Sequence, residues 1–67
     1  MPIVLVYVWE GFSSEAKRKV IEGVTKVFVD LSIPPEAVEV VINEVPMDNW
    51  GVAGQQASER FKGVKIP

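Results

Sequence analysis

The order of apolar and polar residues in the first half of the chain predicts a strand followed by a helix. The strand is an unbroken apolar run, mostly β-branched or aromatic, with the sequence Ile3-Val4-Leu5-Val6-Tyr7-Val8-Trp9. A run of this kind is typical of a strand that is covered on both faces, and it is too short for a buried helix. Glu10-Gly11 ends the strand.

The helix is predicted to begin at Ser13-Ser14, which offers an N-cap, with Glu15 in the first turn where its charge suits the helix dipole. Apolar residues then recur at spacings of three and four, namely Ala16, Val20, Val24, Val27, Phe28 and Leu31. This spacing predicts an amphipathic helix of about 18 residues. Ser32-Ile33-Pro34-Pro35 is expected to end it, because proline disfavours helical dihedrals in the residue before it.

A second strand is predicted over residues 38–45. Val38, Val40 and Ile42 alternate with Glu39, Val41 and Asn43, so one face is apolar. Strand, crossover helix and strand predict an α/β protein built on a single parallel βαβ unit. The remainder, with Pro46, Asp48-Asn49, Gly51 and Gly54, predicts turns with a short hairpin and then a loose C-terminus rich in Lys.

The length of 67 residues predicts one domain, 1–67, that is marginally stable as a monomer. With no Cys and no His, the chain has neither disulfides nor the ligands of a tight zinc site. A two-stranded sheet is also not stable alone. We therefore expect a homo-oligomer whose subunits complete the sheet.

Seven Lys and Arg against nine Asp and Glu give a net charge of −2, and apart from Lys17-Arg18-Lys19 the basic residues are scattered. This run is expected to be solvated helix surface, and nucleic acid is not expected as a partner. No apolar run approaches the roughly 18 residues of a membrane span, and the N-terminus lacks a charged n-region, so a cytoplasmic location without membrane contact is expected. Neither a metal nor a cofactor is expected.

Pro2 is the residue with the most distinctive chemistry. Removal of Met1 would leave a secondary amine, which is both a base and a nucleophile. Because imidazole and thiolate are absent from the chain, this amine is the remaining group for such work near neutral pH. The alternative is that Pro2 is merely a small residue that favours removal of Met1 and begins a strand without needing a donor.

The order and spacing of several features resemble the 4-oxalocrotonate tautomerase family over nearly the whole chain. These features are Pro2, the strand ending in Glu10-Gly11, the Ser13–Leu31 helix, the proline turn, the Val38–Val45 strand with Asn43-Glu44, and Trp50-Gly51-Val52-Ala53-Gly54. The resemblance implies short βαβ subunits whose strands join across a dimer, with three dimers forming a hexamer. It also implies an isomerase without a cofactor, in which the proline amine, freed of Met, moves a proton between carbons of small keto and enol acids.

The same resemblance assigns expected substrate-binding positions and shows two departures. The type member of the family has arginines that handle anionic substrate groups where this chain has Phe12 and Glu39. Trp50 stands where the family has an aromatic ring covering the pocket from a neighbouring subunit, and Trp9 is expected to line the pocket too. The predicted site is therefore Pro2 as the catalytic group, with Trp9, Phe12, Glu39 and Trp50 around the substrate.

Alternatives remain for these residues and for the function. The two tryptophans are equally typical of subunit-interface anchors, and Glu39 is typical of a solvated strand face. The chain could also be a non-catalytic or hetero-oligomeric subunit with this fold. A third hypothesis is a hydratase or dehalogenase in which Glu39 orients water.

Overall fold

Two parallel strands joined by one helix form the centre of the fold. The computed structural model describes all 67 residues, with strand β1 at Ile3–Trp9, helix α1 at Ser14–Val29 and strand β2 at Glu39–Val45. The strands pair in parallel, from Ile3 opposite Glu39 to Trp9 opposite Val45. Helix α1 is the crossover that parallel pairing requires. The predicted α/β class and βαβ unit are confirmed.

Helix α1 begins as predicted but ends two residues before the predicted Leu31. The Ser13 hydroxyl accepts a hydrogen bond from the Ala16 amide at 3.0 Å, so Ser13 is the N-cap. At the other end, the Ile33 amide donates to the Phe28 carbonyl at 3.1 Å, and Ser32 has a φ of 70°. These features form a Schellman motif, in which a left-handed residue closes the last helical turn. The helix therefore ends before Pro34-Pro35, which were expected to end it.

One face of α1 packs on the sheet. Four of its apolar residues are half-buried and follow one another every fourth position, namely Ala16, Val20, Val24 and Phe28. Val27 and Leu31, which belong to the predicted apolar set, are exposed. Val27 lies about 100° around the helix from Phe28, and Leu31 lies beyond the helix end.

A hairpin and a short helix follow β2. Strands β3 at Gly51–Val52 and β4 at Gln55–Gln56 pair antiparallel, which confirms the predicted hairpin. Ala53 and Gly54 both have positive φ, 54° and 78°, as a two-residue type I′ turn requires. Helix α2 at Ala57–Arg60 lies where a loose C-terminus was predicted, so that prediction was wrong over these residues. Four residues are too few to show helical periodicity in the sequence.

Two single 3₁₀ turns complete the secondary structure. They lie at Pro35–Ala37, before β2, and at Met47–Asn49, between β2 and β3. None of the helices is both long enough and apolar enough to span a membrane. The predicted cytoplasmic location stays a prediction.

The sheet is covered on one face only. Ile3, Leu5 and Tyr7 are each more than half exposed, and Val41 lies 45% exposed beside them. Their alternating neighbours face α1 and are half-buried. The expectation that β1 is covered on both faces is therefore not met within one chain. Ala57 is the one fully buried residue of the 67, so the chain alone does not enclose a core.

Two glycines provide a matched test of this backbone. Gly54 has a left-handed φ, whereas Gly23 lies inside α1 with open space where a Cβ would be. We expect Gly54→Ala to lower the free energy of unfolding by about 1 kcal/mol and Gly23→Ala to raise it by about 0.5–1 kcal/mol. Urea unfolding at one fixed protein concentration measures both changes. Equal effects of the two variants would contradict the assigned type I′ turn.

Candidate active site

Pro2 and Glu39 lie together at the amino end of the sheet. The Glu39 amide donates to the Pro2 carbonyl at 3.0 Å, and the Met1 ammonium donates to the Ala37 carbonyl at 2.8 Å. With Met1 in place, the Pro2 nitrogen is an amide nitrogen without basic character. The Glu39 side chain is exposed and makes neither a hydrogen bond nor an ion pair within the chain. An unpaired carboxylate therefore stands at the strand end that carries Pro2.

An aromatic cluster of Trp9, Trp50 and Phe61 lies at the carboxyl end of the sheet. The ring centroids of Trp9 and Trp50 are 5.9 Å apart with the planes at 80°, an edge-to-face contact. The centroids of Trp9 and Phe61 are 5.4 Å apart with the planes at 36°. Sequence reasoning missed Phe61, and the only signal for it was an aromatic residue in a tail rich in Lys. Trp9 and Trp50 thus contact each other within one chain.

The two groups of predicted site residues lie at opposite ends of β1. Pro2 and Trp9 are seven residues apart along an extended strand, or about 23 Å at roughly 3.3 Å per residue. Phe12, half-buried, follows the strand at the Trp9 end. One chain therefore brings Pro2 to Glu39 and Trp9 to Trp50, but it does not gather both groups around one cavity. The substrate-binding roles of Trp9, Phe12, Glu39 and Trp50 stay predictions.

Glu44 fixes the turn that carries Phe12. Its carboxylate accepts hydrogen bonds from the Gly11 amide, at 3.1 Å, and from the Lys17 ammonium. Lys17, with 34% of its side chain exposed, is the member of the predicted Lys17-Arg18-Lys19 surface run that pairs with a side chain from another element. The Lys17 hydrogen bond, followed by that of the Gly11 amide, lowers the pKa of Glu44 below its ordinary value. Glu44 therefore joins β2 to the β1–α1 turn and to α1.

An open cavity of about 320 Å³ lies at the hairpin. It is lined by Asp48, Asn49, Trp50, Gly51, Gly54, Gln55 and Gln56. Among the predicted site residues, only Trp50 belongs to this lining. No group of three or more His, Cys, Asp or Glu side chains is placed to hold a metal ion.

Comparison with known proteins gives the family. The family model described as "Tautomerase enzyme" matches residues 2–60. The chain is 47% identical over 60 residues to the 2-hydroxymuconate tautomerase of Comamonas testosteroni. The matched residues make up 88% of this chain and 95% of that protein. The chain therefore belongs to the tautomerase family and is an isomerase.

Solved structures show the same fold. A 4-oxalocrotonate tautomerase isozyme from Methylibium petroleiphilum superposes with a TM-score of 0.82 at 41% identity, covering 85% of this chain and 94% of that one. A heterohexameric 4-oxalocrotonate tautomerase from Chloroflexus aurantiacus superposes with a TM-score of 0.81 at 27% identity, covering 88% and 97% of the two chains. The predicted family and fold are thus confirmed.

The Glu44 contacts predict a dependence of stability on acid pH. Because its contacts lower the pKa of Glu44 below its ordinary value of 4.5, the ionised carboxylate stabilises the fold at pH values above 4.5. This contribution is lost as pH falls through the folded-state pKa. We expect Glu44→Gln to be less stable than the wild type at pH 7, with the difference shrinking towards pH 3.

Urea unfolding at a series of pH values measures the effect. The control is Glu22→Gln, on exposed helix surface, whose carboxylate has no hydrogen-bond or ion-pair partner in the chain. A constant difference between Glu44→Gln and wild type from pH 7 to pH 3 would show that the charge of Glu44 is not what stabilises the turn.

Proposed function

We propose that the chain, once Met1 is removed, is a tautomerase that uses the Pro2 amine as general base and acid on an enolisable keto acid. The observation that carries this proposal is the way in which Pro2 is held. Its carbonyl is hydrogen-bonded to the Glu39 amide, a contact that does not involve Met1. Removal of Met1 therefore frees the nitrogen while leaving Pro2 attached to the end of a paired strand.

The proposed reaction needs only one proton to move. The amine takes a proton from the enol hydroxyl or from a carbon next to the carbonyl group, and the conjugated electrons shift along the substrate. The same proton is then returned to a carbon further along, so that the keto form results and the amine is regenerated. No oxidant, metal or cofactor takes part in this sequence. A general base of this kind typically contributes 10²–10⁴-fold to the rate, by the usual order of magnitude.

We further propose that the substrate carries one carboxylate rather than two. The Glu39 carboxylate, unpaired at the strand end that carries Pro2, would repel a second anionic group of the substrate. Both arginines of the chain are engaged elsewhere, with Arg18 3.6 Å from the Glu15 carboxylate and Arg60 donating to the Gln55 side chain at 3.0 Å. The aromatic residues Trp50, Trp9 and Phe12 suit a substrate with an apolar or aromatic body.

The site is proposed to be shared between subunits of a homo-oligomer, with a trimer of dimers as the expected assembly. Two observations support this. Ile3, Leu5, Tyr7 and Val41 form an open apolar face of the sheet, and a contiguous exposed apolar patch is typical of an interaction surface. Within one chain, Pro2 lies about 23 Å from Trp9, at roughly 3.3 Å per residue, so Trp9 and Trp50 could line a pocket at Pro2 only from another copy.

Addition of water is the second candidate reaction, because the Glu39 carboxylate is free to orient a water molecule while a protonated Pro2 amine acts as acid. Incubation with an acetylenic acid separates it from tautomerisation. A hydrated product that disappears in Glu39→Gln would favour this candidate.

Replacement of Pro2 tests the proposed base. In protein whose intact mass shows that Met1 is absent, we expect Pro2→Ala to lower kcat/KM for ketonisation of phenylenolpyruvate by about 100-fold or more. Pro67→Ala, at the exposed end of the chain, is the control and should retain wild-type activity. Wild-type activity in Pro2→Ala would rule out a requirement for the proline amine, and wild-type activity in protein whose intact mass shows that Met1 is retained would rule out the terminal amine of residue 2 as the base.

Replacement of Glu39 tests the substrate class. We expect the wild type to favour phenylenolpyruvate over the dicarboxylate 2-hydroxymuconate. Glu39→Arg should raise the relative kcat/KM for 2-hydroxymuconate by about 10-fold or more, since a charge-assisted hydrogen bond contributes about 1.5–3 kcal/mol.

Glu36→Arg is the matched control for charge, because Glu36 is an exposed carboxylate in the 3₁₀ turn before β2. It should leave the ratio of the two substrates unchanged. An equal shift in both variants would assign the effect to net charge, and no shift in Glu39→Arg would remove Glu39 from the site.

A further inference from the structure

We propose that the C-terminal segment Phe61–Ile66 is a positioning element of the candidate site, which holds Trp9 and, through Trp9, sets the ring of Trp50. This inference rests on the proposed function, because it takes Trp50 as part of a substrate pocket. The segment follows directly after residues 2–60, the part of the chain that matches the family model. The segment therefore lies outside the residues that the family model matches.

The segment folds back over the end of β1. The Phe61 amide donates to the Ala57 carbonyl at 2.9 Å, which continues α2 by one hydrogen bond, and Gly63 then turns the chain with a φ of 76°. The Phe61 ring packs on Trp9, with centroids 5.4 Å apart. The Ile66 side chain lies over the β1–α1 turn, 3.6 Å from the position that a Cβ on Gly11 would occupy. Phe61 and Ile66 thus cover both Trp9 and the turn that follows it.

Packing, rather than hydrogen bonding, orients the Trp9 ring. Its indole nitrogen is buried and has no hydrogen-bond partner in the chain. The ring contacts Phe61 on one side and meets Trp50 edge-to-face on another. Loss of the Phe61 ring would leave a gap beside Trp9, and the unpaired indole N–H favours a rotation that brings it to water.

The Trp50 ring depends on Trp9 for its orientation. The backbone of Trp50 is held on both sides, since its carbonyl accepts from the Ala57 amide at 2.7 Å and its amide donates to the Met47 carbonyl at 3.3 Å. These bonds fix where the side chain starts but not how it is rotated. The contact at 80° with Trp9 supplies that constraint. Pro2, at the other end of the strand, is not affected by it.

The test compares Phe61→Leu and Ile66→Ala with Val64→Ala, an exposed residue of the same segment, and with Phe61→Tyr, which keeps the ring. Near-UV circular dichroism reports the fixed geometry of the two indoles, and far-UV circular dichroism reports the folded sheet. Steady-state kinetics with phenylenolpyruvate separates KM from kcat. Intact mass confirms that Met1 is absent from each protein.

We expect Phe61→Leu to lose most of the near-UV signal and to raise KM about 3- to 10-fold, with kcat within about twofold of wild type, as a lost aromatic contact suggests. Ile66→Ala should show a smaller change of the same kind, whereas Val64→Ala and Phe61→Tyr should match the wild type. If Phe61→Leu does not keep the far-UV signal of the wild type, the near-UV signal, KM and kcat of Ile66→Ala test the positioning role instead.

The outcomes separate this inference from the proposed function. The decisive variant is Phe61→Leu, or Ile66→Ala if Phe61→Leu loses the far-UV signal. If the wild type is active but the decisive variant keeps the wild-type KM and near-UV signal, the positioning role alone is overturned. The same holds if KM and kcat change equally in Val64→Ala and in the decisive variant. A wild type without tautomerase activity overturns the proposed function and, with it, the assignment of the segment to a site.

Discussion

The in-register parallel pairing of β1 with β2 is the constraint on which the rest of the structure depends. Parallel strands cannot be joined by a tight turn, so the chain between them must form a crossover, and α1 is that crossover. A single helix covers only one face of two strands. The other face, with Ile3, Leu5 and Tyr7, is left apolar and open. The same pairing that creates the fold therefore creates the surface through which we propose that it assembles.

The Glu44 carboxylate holds the start of the crossover helix through two hydrogen bonds. Glu44, on β2, accepts hydrogen bonds from the Gly11 amide and from Lys17 of α1, so β2, the β1–α1 turn and α1 meet at its two oxygens. The Lys17–Glu44 ion pair is only partly exposed, and the Glu44 carboxylate also accepts from the Gly11 amide. The geometry of this pair is therefore more defined than that of an ordinary surface ion pair. This arrangement places Phe12 at the carboxyl end of the sheet, three residues after Trp9.

The two ends of the paired strands also carry different groups of the predicted site residues. Pro2 and Glu39 lie at the amino end, where the two strands begin, and the cluster of Trp9, Trp50 and Phe61 lies where they end. Such a division has little use in a single subunit. In the assembly that we propose, the Pro2 end of one chain would meet the aromatic end of another, and the candidate site would need both chains.

The sequence by itself determined β1, α1, β2 and the hairpin, and their order, but not α2. Alternation in β2, the apolar run of β1, the Ser13 cap and the Ala53-Gly54 turn are local features, and each depends on residues close together in the chain. Their arrangement was also enough to indicate the family. The end of α1 was misplaced because the Schellman motif at Ser32 depends on backbone geometry rather than on a distinctive residue type.

The tertiary structure alone decided which residues that are far apart in the chain contact each other. The pairing of Lys17 with Glu44 joins residues 27 positions apart, and the packing of Phe61 on Trp9 joins the tail to the first strand. Neither contact leaves a periodic signal, because each depends on where the crossover returns the chain in space. The separation of Pro2 from Trp9 likewise follows from an extended strand, and only the paired sheet shows which residues share each of its ends.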